Sequence, residues 1–112
     1  MACFFVDYEN ECDRLLEGIS FLNLTENDVI MLFYSRRASR ISMDMHRELE
    51  RIKAKKIYIE IENGTPNALD FQLSSYLGAC IHKNPDHKYY IVSRDKGFDC
   101  VCHFWRDKSV LV

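Results

Sequence analysis

Carboxylates occur at three separate places along the chain where the local pattern changes. Asp7 ends the apolar run ACFFVD, Asp70 lies near the start of a helical segment, and Asp95 follows the apolar run YYIVS. Carboxylate oxygens suit Mg²⁺ and Mn²⁺, which often take only one or two direct carboxylates and keep several waters. If the three acids met, their repulsion would have to be offset by a cation or a shared proton. No histidine falls among them, which argues against zinc.

The elements that carry these acids decide whether they meet. Apolar runs rich in β-forming residues predict strands, and the amphipathic segments between them predict helices. The predicted strands are 2–7, 29–35, 56–62, 89–93 and a short fifth at 109–112, and the predicted helices are 11–22, 42–55, 66–83 and 97–108. Strands that are apolar on both faces and alternate with helices are typical of a parallel sheet covered on both sides. The prediction is an α/β fold around a mostly parallel five-stranded sheet.

Two helix starts carry capping signals. Ser42 is predicted to cap the helix whose apolar stripe contains Leu49. Thr65 followed by Pro66 is typical of a helix start, with a capping hydroxyl before proline at the first helical position. Asp70 then falls in the second turn of that helix.

Ligands of open parallel sheets bind beyond the carboxyl ends of the strands. Asp7 and Asp95 follow the first and fourth predicted strands, and the helix that carries Asp70 starts at the same edge. Each acid also has a simpler explanation. Asp7 would cap the next helix, Asp70 would complement a helix dipole, and Asp95 would form an ordinary turn. The convergence of all three at one edge favours a site.

Composition limits the classes of protein that fit. With 112 residues, 47% hydrophobic and 29% charged, residues 1–112 are expected to form a single globular domain. The net charge of −2 argues against nonspecific duplex binding through overall charge. There is no apolar run long enough for a membrane span and no basic start typical of a secretory signal, so a cytoplasmic location without a membrane partner is expected. The five cysteines are expected to be reduced thiols, and Cys100-x-Cys102-His103 lacks the second ligand pair of a zinc site.

The segments VDYEN, NALDFQL and IVSRDKGFD resemble the PIN-like nuclease superfamily, in particular its NYN-type branch, in the family's order along most of the chain. The resemblance implies a three-layer sandwich and metal-dependent hydrolysis of phosphodiester bonds, generally in RNA. It further implies that Asp7, Asp70 and Asp95 bind Mg²⁺ or Mn²⁺. Asn10 and Ser93 would then be hydrogen-bond partners of these ligands.

The chain departs from the family pattern in the loop that follows the fourth predicted strand. Gly97 stands where the family has a second acid, and Asp99 is the nearest carboxylate. Asp99 either supplies the missing charge, positioning a second metal or the attacking water, or the site holds one metal. Many members also carry an acid in the helix after the second strand. Glu48 is at about that distance, although a solvated helix face explains it equally well.

Basic residues follow the second predicted strand, and another follows Asp95. Four basic residues are expected to contact the nucleic-acid backbone: Arg36, Arg37, Arg40 and Lys96. An ordinary solvated loop explains the three arginines equally well, and Lys96 would alternatively balance its acidic neighbours. The expected partner is single-stranded RNA, with single-stranded DNA as a second candidate, and small domains of this superfamily often pair as homodimers.

Two other classes of function remain open. The first is a catalytically degenerate PIN-like module that binds nucleic acid or regulates a partner, which Gly97 and the short length favour. The second is a phospho-accepting receiver-like domain, which needs an acceptor aspartate after the third strand. The chain has Glu62 there, so the receiver-like domain ranks last.

Overall fold

The computed structural model of the chain describes residues 1–8, 18–19, 22–36, 40–62 and 67–108. Within these ranges, four strands form one sheet in the order β3-β2-β1-β4, and all three neighbouring pairs are parallel. The strands are β1 Ala2–Tyr8, β2 Val29–Tyr34, β3 Lys55–Glu60 and β4 Lys88–Val92. The helices are α1 Met43–Arg51, α2 Ala68–Lys83 and α3 Asp99–Arg106, the last preceded by a 3₁₀ turn at Lys96–Phe98. The predicted parallel α/β architecture is confirmed for these strands, while the predicted fifth strand at 109–112 lies outside the described residues.

Side chains alternate between the two faces of the sheet, and each face has its own core. One face, here called the α2 face, carries Cys3 and Phe5 of β1 under the apolar stripe of α2: Leu69, Leu73, Leu77 and Ile81. The opposite face, here called the α1 face, carries Phe4 and Val6 of β1 under Met45 and Leu49 of α1. The sheet is therefore the middle of three layers.

Helix α3 extends the layer formed by α2. Phe98 of the 3₁₀ turn is buried in the same core, and Val101, Cys102 and Trp105 pack against it. The Trp105 ring lies beside Gly78 of α2, since a methyl group at Gly78 would sit 3.7 Å from Cζ2. Within the described part of the chain, no helix is long and apolar enough to cross a membrane.

Several predicted boundaries shift in the structure. The helix predicted at 42–55 ends at Arg51, because Lys55 already pairs with Val29 as the first residue of β3. Ser42 is its N-cap as predicted, and its hydroxyl accepts the Met45 N–H at 3.1 Å. β3 ends at Glu60, so the prediction of a strand through residue 62 was wrong.

Two other helices also differ from the prediction. α2 begins at Ala68 rather than Pro66, and Asn67 before it has a left-handed φ of 66°, which asparagine tolerates. The predicted cap at Thr65 and Pro66 lies outside the described residues. Of the helix predicted at 11–22, Gly18 and Ile19 are helical and Ile19 is buried. Leu22, the last residue of that predicted helix, is 47% exposed.

Candidate active site

The carboxylate of Asp7 and the hydroxyl of Ser93 meet at the carboxyl edge of the sheet. Val6 pairs with Val92, so the next residue of each strand is also adjacent. Alternation places both on the α2 face, since Phe5 and Tyr89 point there. The Ser93 hydroxyl donates to Asp7 Oδ2 at 2.7 Å, and Asp7 is only 9% exposed. A buried carboxylate of this kind requires polar or cationic partners.

Ser93 also connects Asp7 to Asp95. Its hydroxyl oxygen accepts the Asp95 backbone N–H at 3.0 Å, while its proton goes to Asp7. Asp95 Oδ1 in turn accepts the Gly97 N–H at 2.8 Å, and this hydrogen bond caps the start of the 3₁₀ turn. The structure therefore brings three predicted site residues, Asp7, Ser93 and Asp95, into one hydrogen-bonded group.

Gly97 lies in close contact with the Asp95 side chain. A Cβ atom at Gly97 would lie 3.0 Å from Asp95 Oδ1 and 3.6 Å from its Cγ. Any side chain at residue 97 would therefore displace the Asp95 carboxylate by a few tenths of an ångström. The glycine that departs from the family pattern fits the position that Asp95 occupies here.

Asp70 lies in the first turn of α2, on the helix that covers the same face as Asp7. Gln72 fixes this end of the helix, because its side-chain amide exchanges two 3.3 Å hydrogen bonds with the backbone of Glu62. Glu62 follows β3, so the half-buried Asp70 is held near the carboxyl edge of the sheet.

Ser35 is a polar residue of this edge that was not predicted as part of the site. It follows β2, is 2% exposed, and alternation from Phe33 places it on the α2 face. Its hydroxyl has no hydrogen-bond partner among the described residues, and such a buried group calls for a ligand or water. The signal was present in the sequence, since Ser35 ends the run VIMLFYS just as Asp7 and Ser93 end theirs.

The donor chemistry of this edge fits a hard divalent cation. The buried Asp7 carboxylate, the Asp95 carboxylate and the orphaned Ser35 hydroxyl are all oxygen donors on or beside the α2 face. Among the described residues, however, no group of three or more His, Cys, Asp or Glu side chains is arranged to hold a metal ion. A cation here would rely on few carboxylates and several waters, which is common for Mg²⁺.

Asp99 and Glu48 are the remaining predicted acids. Asp99 is exposed at the start of α3. Burial is the main cause of the raised pKa of the nearby Cys102 thiol, and the charge of Asp99 adds to it. Glu48 pairs with Arg51 at 3.1 Å on α1. It lies in a hollow with Thr25 and Lys53, which precede β2 and β3, so it sits at the amino edge of the sheet. The structure does not bring Glu48 to Asp7.

The predicted basic residues spread along the carboxyl edge. Arg36 is exposed and lies 3.6 Å from Glu60, and Lys96 is exposed in the 3₁₀ turn. Arg40 lies toward the α1 face, where its carbonyl accepts the Tyr8 hydroxyl at 2.7 Å. Asn10 and Arg37 lie outside the described residues.

The chain belongs to the PIN domain family, whose model matches residues 1–112. Members of this family are typically nucleases that use divalent metal ions and act on nucleic acids, and the three-layer α/β architecture around a parallel sheet agrees with it. No curated protein and no solved structure matches the chain.

Proposed function

We propose that this PIN domain is a metal-dependent endoribonuclease that hydrolyses phosphodiester bonds in single-stranded RNA. The observation that supports this most strongly is the hydrogen-bonded group of Asp7, Ser93 and Asp95 at the carboxyl edge. That edge is where parallel sheets bind ligands. The chain belongs to a family whose members are typically nucleases.

In this proposal Asp7, Asp70 and Asp95 would bind one Mg²⁺ or Mn²⁺ partly through bound waters, because these three carboxylates, all among the described residues, are not arranged to hold a metal directly. The ion supplies an activated water and polarises a phosphate oxygen when it is bound. Ser93 keeps the Asp7 carboxylate in a fixed rotamer and, through the Asp95 N–H, fixes the start of the late loop. Asp99 orients the attacking water or a further ion from the first turn of α3.

Basic residues at the same edge are assigned to the RNA backbone. Arg36, Arg40 and Lys96 are exposed there and would neutralise phosphates. Arg37 is assigned the same role from its place in the basic run SRRASR, and Asn10 is assigned by the resemblance to orienting Asp7. Such contacts predict that binding weakens as salt rises.

The proposed setting is cytoplasmic, and a homodimer is proposed for solution. Cys3, Cys80, Cys100 and Cys102 are free thiols. Burial raises the pKa of Cys3, Cys80 and Cys102, which keeps those thiols protonated and unreactive. Sedimentation of the full chain tests the dimer.

The test is cleavage of single-stranded RNA and DNA with Mg²⁺, Mn²⁺ or EDTA. We expect metal-dependent cleavage of RNA that EDTA abolishes, and a loss of at least about 100-fold in Asp70→Asn and in Asp95→Asn. Asp86→Asn is the matched control, because Asp86 is an exposed acid in the turn before β4. EDTA-resistant cleavage, or full activity in Asp70→Asn, would contradict the proposal.

The alternative is a degenerate PIN domain that binds nucleic acid without cleaving it. Gly97 in place of an acid favours it, as does the lack of a three-acid group among the described residues. It predicts RNA binding with no cleavage in either metal and no change in Asp70→Asn.

A further inference from the structure

A second concave site lies at the carboxyl edge, on the α1 face rather than the α2 face. It is a pocket of about 350 Å³, within the range of small-ligand sites. Its lining includes three tyrosines from adjacent strands and one acid: Tyr8, Tyr34, Tyr58 and Glu60.

The register explains how these side chains come together. Tyr8 pairs with Tyr34, and Tyr34 pairs with Glu60, so the three lie side by side across β1, β2 and β3. Tyr58 lies two residues earlier on the same face of β3 and is 55% exposed. The pocket therefore has an aromatic floor and one exposed aromatic ring that offers its face to a ligand.

One wall of the pocket is held in place by a hydrogen bond. The Tyr8 hydroxyl donates to the Arg40 carbonyl at 2.7 Å, which ties the segment before α1 to β1. Ile41 in that segment lines the pocket beside the tyrosines. The cavity is thus formed before any ligand binds, which lowers the cost of binding.

Glu60 is the polar group that can select a ligand. Its carboxylate lies 3.6 Å from Arg36, but both side chains are exposed, so the pair is weak and the carboxylate can accept other hydrogen bonds. Arg36 also offsets the negative charge that would otherwise repel a phosphate chain.

Any nucleobase can stack on tyrosine, but nucleobases differ in the hydrogen-bond donors that they offer to a carboxylate. Guanine has two adjacent N–H donors on its Watson–Crick edge, which one carboxylate can accept together. Adenine, cytosine and uracil offer a single donor position there, each beside an acceptor that a carboxylate would repel. Aromatic walls with one carboxylate therefore fit guanine best.

We propose that this pocket binds a guanine base of the RNA strand, with Glu60 accepting hydrogen bonds from its Watson–Crick edge. As a substrate contact this rests on the ribonuclease activity proposed above. Tyr8 directly follows Asp7 on β1 and points to the opposite face, so a strand that crosses the edge reaches both sites. The enzyme would then favour cleavage next to guanine.

The first experiment measures binding of GMP, AMP, CMP and UMP to the full chain by calorimetry in EDTA. We expect GMP to bind at least about tenfold more tightly than AMP, and Glu60→Gln to remove that preference. Tyr58→Ala should weaken all four nucleotides, and Tyr58→Phe should keep the wild-type affinity. Glu50→Gln, an exposed acid on α1, is the matched control and should change nothing. Equal affinity for GMP and AMP in the wild type would overturn the proposal.

The second experiment compares an oligouridylate with the same oligomer carrying one guanine, both for binding in EDTA and for cleavage in Mg²⁺. Tighter binding of the guanine oligomer, lost in Glu60→Gln, supports an RNA ligand. Tight GMP binding with no gain in the oligomer assigns the pocket to a free nucleotide and overturns the RNA assignment. Cleavage without any guanine preference would contradict the guanine pocket and support the nuclease activity. Guanine-dependent binding without cleavage removes the nuclease and leaves the pocket.

Discussion

The Ser93 hydroxyl donates a 2.7 Å hydrogen bond to Oδ2 of Asp7, although 86 positions separate the two residues in the chain. The contact exists because β1 and β4 are parallel neighbours in which Val6 pairs with Val92, so the next residues, Asp7 and Ser93, are adjacent. Ser93 thereby couples a buried acid to the loop that carries Asp95.

Replacing Ser93 by alanine removes both hydrogen bonds of its hydroxyl. We expect RNA cleavage to fall about 10- to 100-fold, because the Asp7 carboxylate loses its orienting donor. The free energy of unfolding should fall by about 1–2 kcal/mol, measured by urea denaturation. Ser75→Ala is the control, since the Ser75 hydroxyl donates to the Phe71 carbonyl at 2.8 Å on the exposed side of α2. Wild-type cleavage in Ser93→Ala would rule out an orienting role.

Two glycine-to-alanine substitutions should affect different properties, one the rate of cleavage and the other the stability of the fold. Gly97→Ala places a Cβ 3.0 Å from Asp95 Oδ1, so we expect the carboxylate to shift and cleavage to fall about tenfold or more. In Gly78→Ala the nearest side-chain atom, in Trp105, is 3.7 Å away. That change should stabilise α2 by about 0.5–1 kcal/mol without affecting cleavage. Cleavage rates and thermal midpoints measure both, and full activity in Gly97→Ala would contradict the steric explanation.

Tyr89 should make the protein sensitive to alkali. Its hydroxyl lies 2.6 Å from the Asn84 carbonyl and 2.9 Å from the Cys80 carbonyl, and burial raises its pKa from 10.0 to about 12. Because the folded state holds the proton more tightly than the unfolded chain, this stability is complete below pH 10 and is lost as the pH rises toward 12. The loss should be roughly 2 kcal/mol.

Urea denaturation between pH 8 and 11.5 measures this effect. Tyr89→Phe should be less stable at pH 8 and should show a shallower decline above pH 10, while Tyr90→Phe, with its exposed ring, should follow the wild type. The buried thiols of Cys3 and Cys80 have raised pKa values as well, so part of the decline from pH 9 upward should remain in Tyr89→Phe. An unchanged slope in Tyr89→Phe would show that Tyr89 is not the cause.

Local sequence determined the strands and most of the helices. The runs that became β1 and β2 are apolar over most of their length, and both strands are buried on both faces of the sheet, as such runs predict. The parallel order then placed Asp7 and Asp95 at one edge, because strands joined by crossover helices all end on the same side. Predicted ends were less accurate at α1, where pairing of Lys55 with β2 overrides a helical pattern that continues past Arg51.

Tertiary structure decided which of these residues share a face and which of them meet. Asp7 and Tyr8 are adjacent in sequence, yet alternation sends one to the hydrogen-bonded acids and the other to the aromatic pocket. Glu48 has a sequence distance typical of a fourth acid, but α1 runs back along the sheet and carries it to the amino edge. Ser93 became the partner of Asp7 only through the register of β1 with β4. Register depends on the pairing of segments distant in sequence, so the pattern of one segment alone does not determine which residues become neighbours.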